Sequence, residues 1–268
     1  MVKLILTDLD GTLLNSQGTF NQNRFKILLE RLKQKNIAFA AVTGRQMSHA
    51  ESAFSKEFLK DVWFLGDSAS RIKKGDKIYY EKPMTNTAGK KMIQLVEKTA
   101  LGQTIIACTN TYAYILKNQP VEYKNKVKGA YLDVIEVDDF SSIKEPFVKI
   151  TIYDAKARAL KIVSHLKQAQ EEFHVVPIND EWYDITAKGV HKGTAVEKLQ
   201  ELLGVSKEDC MAFGDGYNDV ELLTQAKFAY AMDNAVDAVK EIAPLSAPSN
   251  DENGVMAVIE QEVLSHFY

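Results

Sequence analysis

Short apolar runs alternate with amphipathic segments near the start of the chain. Runs without polar alternation are typical of parallel strands that are covered on both faces, and they occupy residues 3–8, 37–42 and 62–65. Apolar residues recur at three- and four-residue spacing over residues 21–35, which predicts a helix, and a second helix is predicted over 47–58. This alternation of strand and helix predicts an α/β fold with a doubly wound parallel sheet.

The same rhythm returns near the other end of the chain. The predicted helices cover 191–203, 219–225 and 235–242, and the predicted strands cover 210–213 and 228–232. The two ends of the chain therefore predict one shared core domain.

The middle of the chain has a different pattern. Strands are predicted at 104–109, 112–116, 147–153 and 175–177, with helices near 86–99 and 156–172. This pattern indicates an α+β insertion with borders near Pro83 and Lys188. We therefore expect residues 1–83 and 188–268 to form the core and residues 84–187 to form a second domain.

The composition is that of a chain with a packed core, since 46% of the 268 residues are hydrophobic. The 33 basic and 36 acidic residues give a net charge of −3 without a long basic block, so we expect no nucleic acid as main partner. Asp8 and Asp10 interrupt the apolar start, and no apolar run approaches a membrane span, so we expect no membrane partner. We expect a soluble cytoplasmic protein with Cys108 and Cys210 as free thiols, and nothing in the sequence indicates an obligate protein partner.

Polar residues at the ends of the predicted strands are the candidates for chemistry, because open parallel sheets bind ligands beyond the carboxyl ends of their strands. Asp8 and Asp10 follow the first strand, and residues two apart at a strand end project to the same side. One carboxylate can attack phosphorus and form an aspartyl phosphate, while the other, kept partly protonated, donates a proton to the leaving oxygen and later activates water. The alternative is a plain turn at Gly11.

A second acidic pair, Asp215 and Asp219, follows the strand predicted at 210–213. The two residues are four apart, at the start of a predicted helix, and so share a face. Carboxylate oxygens suit a hard cation, most commonly Mg²⁺ that also bridges to phosphate. Helix capping is the alternative, but capping needs only one such residue and this segment contains three, Asn218 included.

Two further segments contain groups that could hold a phosphoryl group. Thr43 and Gly44 follow a buried strand and offer a hydroxyl and an unobstructed backbone N–H, although a plain strand-to-helix turn is equally consistent with them. Lys192 stands at a predicted helix start, where its ammonium could neutralise the phosphoryl group, and the alternative is a solvated surface lysine. Arg45 and His49 show no pattern that separates them from surface residues or from polar residues whose hydrogen bonds are satisfied.

These candidate residues are more consistent as a set than alone. A cluster of carboxylates would repel itself unless a divalent cation and a lysine were present, and the carboxylates in question are those of Asp8, Asp10, Asp215 and Asp219. The set therefore predicts a site that holds Mg²⁺ beside Lys192.

Four segments resemble the ordered motifs of the haloacid dehalogenase superfamily, in particular those of its Cof-type phosphatase branch. They are residues 8–14 (DLDGTLL), 42–45 (VTGR), 192–193 (KG) and 214–219 (GDGYND). Residues 231–235 (AMDNA) and 249–255 (SNDENGV) resemble late segments of that branch, so the similarity covers nearly the full chain. Residues 65–69 depart from it, because they read LGDSA where relatives often carry Asn-Gly.

The resemblance implies a Rossmann-like catalytic core with a large α/β cap inserted after the third core strand. It also implies that Asp8 is the nucleophile and Asp10 the general acid/base. The implied metal ligands are Asp8, Asp10 through its backbone carbonyl, Asp215 and Asp219. The implied phosphate-binding residues are Thr43, Gly44, Lys192 and Asn218.

The activity that follows from the resemblance is that of a phosphoric monoester hydrolase. We expect Mg²⁺-dependent hydrolysis of a small phosphorylated metabolite, such as a sugar phosphate or a phosphorylated cofactor, through an aspartyl phosphate on Asp8. The superfamily's dehalogenases lack a carboxylic acid at the position of Asp10, because a halide needs no proton to leave, so Asp10 favours phosphoryl chemistry. A phosphosugar mutase of the phosphomannomutase type and a catalytically vestigial phosphometabolite-binding regulator are the alternative hypotheses.

Overall fold

The chain forms two β-sheets in a computed structural model that describes residues 1–99, 102–166 and 171–265. Among these residues, the first sheet has eight strands and the second has six. Within the same ranges, no helix has the length and the apolar character needed to cross a lipid bilayer.

The strands and helices follow one another along the chain in a fixed order. They are β1 (Leu4–Thr7), α1 (Gln22–Gln34), β2 (Ala38–Val42), α2 (Met47–Ser52), β3 (Val62–Gly66), β4 (Arg71–Lys74), β5 (Lys77–Glu81), α3 (Asn86–Thr99), β6 (Thr104–Cys108), β7 (Ala113–Leu116), α4 (Val121–Ala130), β8 (Val134–Val137), β9 (Lys149–Tyr153), α5 (Ala159–His165), β10 (Phe173–Pro177), β11 (Trp182–Ala187), α6 (Lys192–Leu203), β12 (Cys210–Gly214), α7 (Val220–Leu223), β13 (Phe228–Met232), α8 (Asp237–Ile242), β14 (Leu245–Ala247) and α9 (Gly254–Ile259). Single 3₁₀ turns occupy Lys56–Phe58, Phe140–Ser142, Lys207–Asp209, Tyr217–Asp219 and Asn250–Glu252, and a π-helical turn at Glu260–Leu264 follows α9.

The first sheet, which we call the core sheet, joins the two ends of the chain. Its strand order is β14-β13-β12-β1-β2-β3-β4-β5, and β1 pairs in parallel with β2 on one side and with β12 on the other. Successive residues of β1 are fully buried, so both faces of the sheet are covered. The predicted fold class, a doubly wound parallel α/β core with an inserted α+β region, is confirmed.

An antiparallel hairpin extends the core sheet beyond β3. β4 pairs with β3, and β5, whose side chains are mostly exposed, forms the edge of the sheet. The chain therefore leaves the core sheet after its fifth strand, which corrects the insertion point after the third strand that the resemblance implied. The search for apolar runs missed both strands because their sequences, RIKK and KIYYE, carry the charges of a sheet edge.

The second sheet has the strand order β10-β11-β9-β6-β7-β8, and we call this sheet with helices α3, α4 and α5 the cap. Polar and apolar residues alternate along β9, so the two faces of the sheet differ in polarity. Ile150 and Ile152 belong to an apolar cluster with residues of α3 and α5. Lys149 and Thr151 point to the other side, where Lys149 contacts the core. The cap therefore presents polar side chains to the core.

Two predicted helices are shorter in the structure by five residues or more. The helix predicted over 47–58 ends with α2, because Ser55 has an extended backbone, and a 3₁₀ turn follows. The helix predicted over 156–172 begins only after Ala157, whose φ of 51° is left-handed and incompatible with a helix. Residues 167–170 of that prediction lie outside the described residues.

The predicted borders between the two domains fall in the segments that connect the two sheets. The core strands lie within residues 4–81 and 210–247, and the cap strands lie within residues 104–187. The borders near Pro83 and Lys188 stay a prediction.

The packing of α3 against the segment that precedes β9 can be tested with two helical glycines of the cap. A Cβ atom on Gly89 would lie 2.2 Å from Cδ2 of the fully buried Phe147, whereas a Cβ atom on Gly129 in α4 would meet nothing within 4 Å. We expect Gly89→Ala to lower the free energy of unfolding by about 1–3 kcal/mol through overpacking. Gly129→Ala should leave it unchanged or raise it by up to about 1 kcal/mol. Urea denaturation measures both changes, and equal stability of the two variants would contradict this packing.

Candidate active site

The carboxyl ends of three parallel core strands meet beneath the cap. Asp8 follows β1, Thr43 follows β2 and Asp215 follows β12. A cavity of about 520 Å³ opens at this edge of the sheet, between core and cap. Of the residues predicted for the site, the cavity is lined by Asp8, Asp10, Thr43, Gly44, Asp215, Asn218 and Asp219. Lys192 is not part of this lining, but its side chain contacts two of the lining residues, Asp8 and Asp219.

Lys192 joins two of the acidic residues. Its ammonium nitrogen lies 2.7 Å from Oδ1 of Asp8 and 2.6 Å from Oδ1 of Asp219. Only 3% of the Lys192 side chain is exposed, because it is the first residue of α6 and points into the core. The interpretation of Lys192 as a solvated surface lysine is therefore wrong.

Asp219 and Asp215 are held by neighbouring donors. The second oxygen of Asp219, Oδ2, accepts the backbone N–H groups of Asp215 and Gly216, each at 3.0 Å. Oδ1 of Asp215 accepts the hydroxyl of Thr12 at 2.6 Å. Asp219 thus organises its own turn with one oxygen, as a capping residue would, and uses the other for Lys192.

Close approach of the first and last motifs requires a glycine. Gly11 has a φ of +76°, and a Cβ atom there would lie 2.3 Å from Oδ2 of Asp215. A side chain at this position would be strained by its backbone and would push the Asp215 carboxylate away. The turn that follows Asp8 therefore sets the distance between the two strand ends.

Three carboxylates form a candidate metal centre. Asp8, Asp215 and Asp219 can each offer one oxygen such that these atoms all lie within 4.8 Å of one another, and no other such group of His, Cys, Asp or Glu occurs in the described part of the chain. Carboxylate oxygens are hard ligands of the kind that Mg²⁺ prefers. The donor set therefore fits Mg²⁺.

The charges of the site are consistent with a cation at this centre. Burial is the main reason that the pKa of Asp8 lies well above its usual range, and Asp219 and Asp215 raise it further while Lys192 lowers it. Burial, with the charge of Asp219, raises the pKa of Asp215 to about 7. Burial alone would lower the pKa of Lys192, but the charges of Asp219 and Asp8 raise it above its usual value. One ammonium is thus insufficient for three carboxylates, and a divalent cation would favour their ionised forms.

Asp10 occupies a different environment from the other three carboxylates. Its side chain is 58% exposed and is bound by the guanidinium of Arg45, whose Nε lies 2.7 Å from Oδ2 and whose Nη2 contacts Oδ1. Arg45 is thus a paired polar residue at the site, which is the second of the two interpretations that the sequence left open. The available signal was its position directly after Thr43 and Gly44, at a strand end. Metal binding through the backbone carbonyl of Asp10 stays a prediction.

The Thr43–Gly44 turn faces the same cavity. Thr43 is buried, and its Oγ1 accepts the backbone N–H of Arg45 at 3.1 Å, which leaves the hydroxyl proton available to a bound anion. Asn218 lines the cavity from the turn after β12. These positions agree with a phosphate-binding role, which stays a prediction.

The cap contributes lining residues that no sequence motif assigned. The cap side of the cavity is lined by Gly129, Ala130, Tyr131, Lys149, Thr151, Ile178, Asn179 and Trp182. Lys149 carried a usable signal, because it is a charged residue directly before the apolar alternation of β9. Tyr131 carried none, since a tyrosine after a helix has many possible roles.

Sequence comparison defines the class of protein. The family described as haloacid dehalogenase-like hydrolase matches residues 5–259. The chain therefore belongs to the haloacid dehalogenase-like hydrolase family, as its motifs predicted.

Similar proteins within this family are named as phosphatases. YbjI of Escherichia coli (strain K12), named a 5-amino-6-(5-phospho-D-ribitylamino)uracil phosphatase, is 30% identical over 266 residues, which cover 99% of this chain and 97% of that protein. YcsE of Bacillus subtilis (strain 168) bears the same enzyme name and is 27% identical over 268 residues, 98% of this chain and 96% of that protein. The crystal structure of SMU.1108c from Streptococcus mutans UA159 has a TM-score of 0.93 at 29% identity and covers 98% of this chain and 100% of that one. The predicted enzyme class, a haloacid dehalogenase-like phosphatase, is confirmed.

The raised pKa of Asp215 predicts how Mg²⁺ affects stability at different pH. The unfolded chain releases this proton near the usual pKa of about 4, whereas the folded chain without a cation retains it up to about pH 7. In that interval the folded state binds more protons, so this group makes the free energy of unfolding fall as pH rises from about 4 to about 7. Mg²⁺ binds the ionised carboxylates and should therefore raise the melting temperature more at about pH 8 than at about pH 5.

Melting curves at both pH values, with and without Mg²⁺, measure this effect. Asp215→Asn is the matched variant, because it removes the titrating group and one ligand, and most of the Mg²⁺ stabilisation should be absent from it. A Mg²⁺ effect of equal size at both pH values in the unmodified protein would contradict the proposed centre.

Proposed function

We propose that the protein hydrolyses a small phosphomonoester by phosphorylating and then dephosphorylating Asp8. The observation that carries this proposal is the 2.7 Å contact between the Lys192 ammonium and Oδ1 of Asp8, beside a cavity of metabolite size. An ammonium fixed at this position offsets the repulsion between the carboxylate and an incoming phosphate dianion. Together with a bound divalent cation, this ammonium would favour the ionised form of Asp8 that acts as the nucleophile.

Asp8 attacks the phosphorus atom in the first step. One of its carboxylate oxygens forms an acyl phosphate bond as the bond between phosphorus and the leaving oxygen breaks. Asp10, in its protonated form, gives its proton to that leaving oxygen, so a neutral alcohol departs. Arg45 is paired with Asp10 in the free protein, and a bound phosphate dianion would compete with Asp10 for that guanidinium.

Water releases the phosphoryl group in the second step. Asp10, now ionised, accepts a proton from a water molecule whose oxygen attacks phosphorus. The bond to Asp8 breaks, and inorganic phosphate leaves. One water molecule is consumed, and both carboxyl groups return to their starting forms.

The remaining site residues hold the reacting groups. Four groups are the proposed hydrogen-bond donors to the phosphate: the Thr43 hydroxyl, the Gly44 backbone N–H, the Lys192 ammonium and the Asn218 amide. The proposed Mg²⁺ ligands are the side chains of Asp8, Asp215 and Asp219 and the backbone carbonyl of Asp10. When bound, Mg²⁺ supplies positive charge that offsets the carboxylates and the phosphoryl oxygens.

The substrate is proposed from two considerations. YbjI and YcsE are named phosphatases of 5-amino-6-(5-phospho-D-ribitylamino)uracil, which makes this compound the first candidate for a protein of similar sequence. Trp182 on the cap side of the cavity offers a flat apolar surface to a ring or a sugar. A panel of phosphometabolites should therefore contain that compound, sugar phosphates and phosphorylated cofactors.

Replacement of the nucleophile tests the proposal. Asp8→Asn keeps the shape of the side chain but cannot form an acyl phosphate, so we expect phosphate release with Mg²⁺ to fall by at least about 10³-fold. Asp76→Asn is the matched control, because Asp76 lies exposed in the turn between β4 and β5. The activity of this variant should equal that of the unmodified protein. Phosphate release is measured on the best substrate of the panel, and circular dichroism checks the fold of both variants.

Other outcomes of the same assay correspond to other functions. Full Mg²⁺-dependent activity of Asp8→Asn would contradict the assignment of the nucleophile. A phosphosugar isomer in place of free phosphate would indicate a mutase. Absence of turnover on the whole panel would favour a phosphometabolite-binding regulator.

A further inference from the structure

An ion pair lies buried on the core-facing side of the cap. The ammonium of Lys149 in β9 is 3.1 Å from Oδ2 of Asp184 in β11, and the two side chains are only 3% and 1% exposed. A buried pair of this kind has a desolvation cost that its mutual attraction does not reliably recover, so the pair is not explained by stability alone. Its remaining partners indicate what it does.

Each member of this pair also contacts the core. Lys149 donates a hydrogen bond from Nζ to the backbone carbonyl of Gly44 at 2.8 Å. The hydroxyl of Ser68 donates to Oδ2 of Asp184. Within the cap, the hydroxyl of Thr151 donates to the other oxygen of Asp184. The two charges therefore have all of these partners only when the cap lies against the core.

The core side of this contact has an unusual backbone. Asp67, Ser68 and Ala69 are consecutive non-glycine residues with φ values of 55°, 53° and 69°, a left-handed conformation that such residues seldom adopt. The segment is nevertheless buried and bound, since the N–H of Asp67 donates to the carbonyl of Arg45 at 2.8 Å and its Oδ1 accepts the N–H of Met47 at 3.2 Å. Strain of this kind persists where surrounding contacts impose it, and here it directs Ser68 to the cap.

The Gly44–Arg45 peptide connects this contact to the reaction. Its carbonyl accepts from Lys149, and its N–H donates to Oγ1 of Thr43 at 3.1 Å. The carbonyl and the N–H of a trans peptide point in opposite directions, so fixing one fixes the other. Lys149 thereby orients the Thr43 hydroxyl, whose proton remains available to a phosphoryl oxygen.

We propose that Lys149, supported by Asp184 and Ser68, is a positioning residue that the cap supplies for phosphoryl transfer. It acts through the Gly44–Arg45 peptide on Thr43, and it does not touch the leaving group. The inference rests on the proposed function, because it assumes that Thr43 binds the transferring phosphoryl group. It adds that the phosphate-binding turn is fully aligned only while the cap covers it.

The test removes the tether without leaving a buried charge. The double variant Lys149→Met/Asp184→Asn is neutral at both positions, so the cap should fold. We expect its kcat to fall about 10- to 100-fold with a smaller change in KM, as for a misplaced reacting group. The loss should be similar for p-nitrophenyl phosphate and for the best phosphometabolite of the panel, because the tether acts on the phosphoryl group that both share.

Two single variants complete the design. Lys124→Met is the matched control, because it removes a cap lysine whose partner, Glu136, keeps a second contact with Lys128. Its kinetic constants should equal those of the unmodified protein. Ser68→Ala removes one tether from the core side and leaves the cap sequence intact, and its kcat should fall about fivefold, the effect of one hydrogen bond.

The outcomes separate this inference from the proposed function. If the unmodified protein hydrolyses no phosphomonoester, the proposed function fails first. If it does, an unchanged kcat in the double variant, or a loss confined to the larger substrate, overturns the positioning role. An equal loss in Lys124→Met overturns it as well. If the double variant shows no cooperative melting, Ser68→Ala decides, and wild-type kcat in that variant contradicts the proposal.

Discussion

The contact of one ammonium with two carboxylates is the interaction on which the rest of this site depends. Lys192 from the start of α6 lies between Asp8, which follows β1, and Asp219, which follows β12. Without such a partner, a buried carboxylate would retain its proton and would be a poor nucleophile. Burial is the main cause of the raised pKa values of Asp8 and Asp215, and the negative charge that this contact leaves unbalanced raises them further. That unbalanced charge also explains the fit of a divalent cation.

The order of the strands explains how residues from opposite ends of the chain reach this contact. β1 lies between β2 and β12, and parallel pairing brings the carboxyl ends of all three strands to one edge. The cap covers that edge with the polar face of its own sheet, and Lys149 reaches from it to Gly44. The core thus supplies hydrogen-bond donors to the cavity, and the cap supplies the side chains that line its opposite side.

The sequence predicted the parts of this arrangement that have local signals. Continuous apolar runs marked β1, β2 and β3, and the acidic pairs at strand ends marked Asp8 and Asp215. The β4–β5 hairpin had no such signal, because edge strands carry charges that resemble those of a loop. The roles of Arg45 and Lys149 depend on partners that are distant in sequence, Asp10 and Gly44, so that only the folded chain reveals them. Spacing predicted which residues lie together at the site, while tertiary contacts decide what holds them in place.

The central claim is that Asp8 receives the phosphoryl group, and chemical trapping measures this directly. The protein is mixed with substrate and Mg²⁺, quenched in acid and reduced with borohydride, which converts an aspartyl phosphate to homoserine. Peptide mass spectrometry then locates the modified residue. We predict homoserine at position 8 during turnover and none without substrate. Modification at another carboxylate, or sustained turnover with none at position 8, would contradict the account.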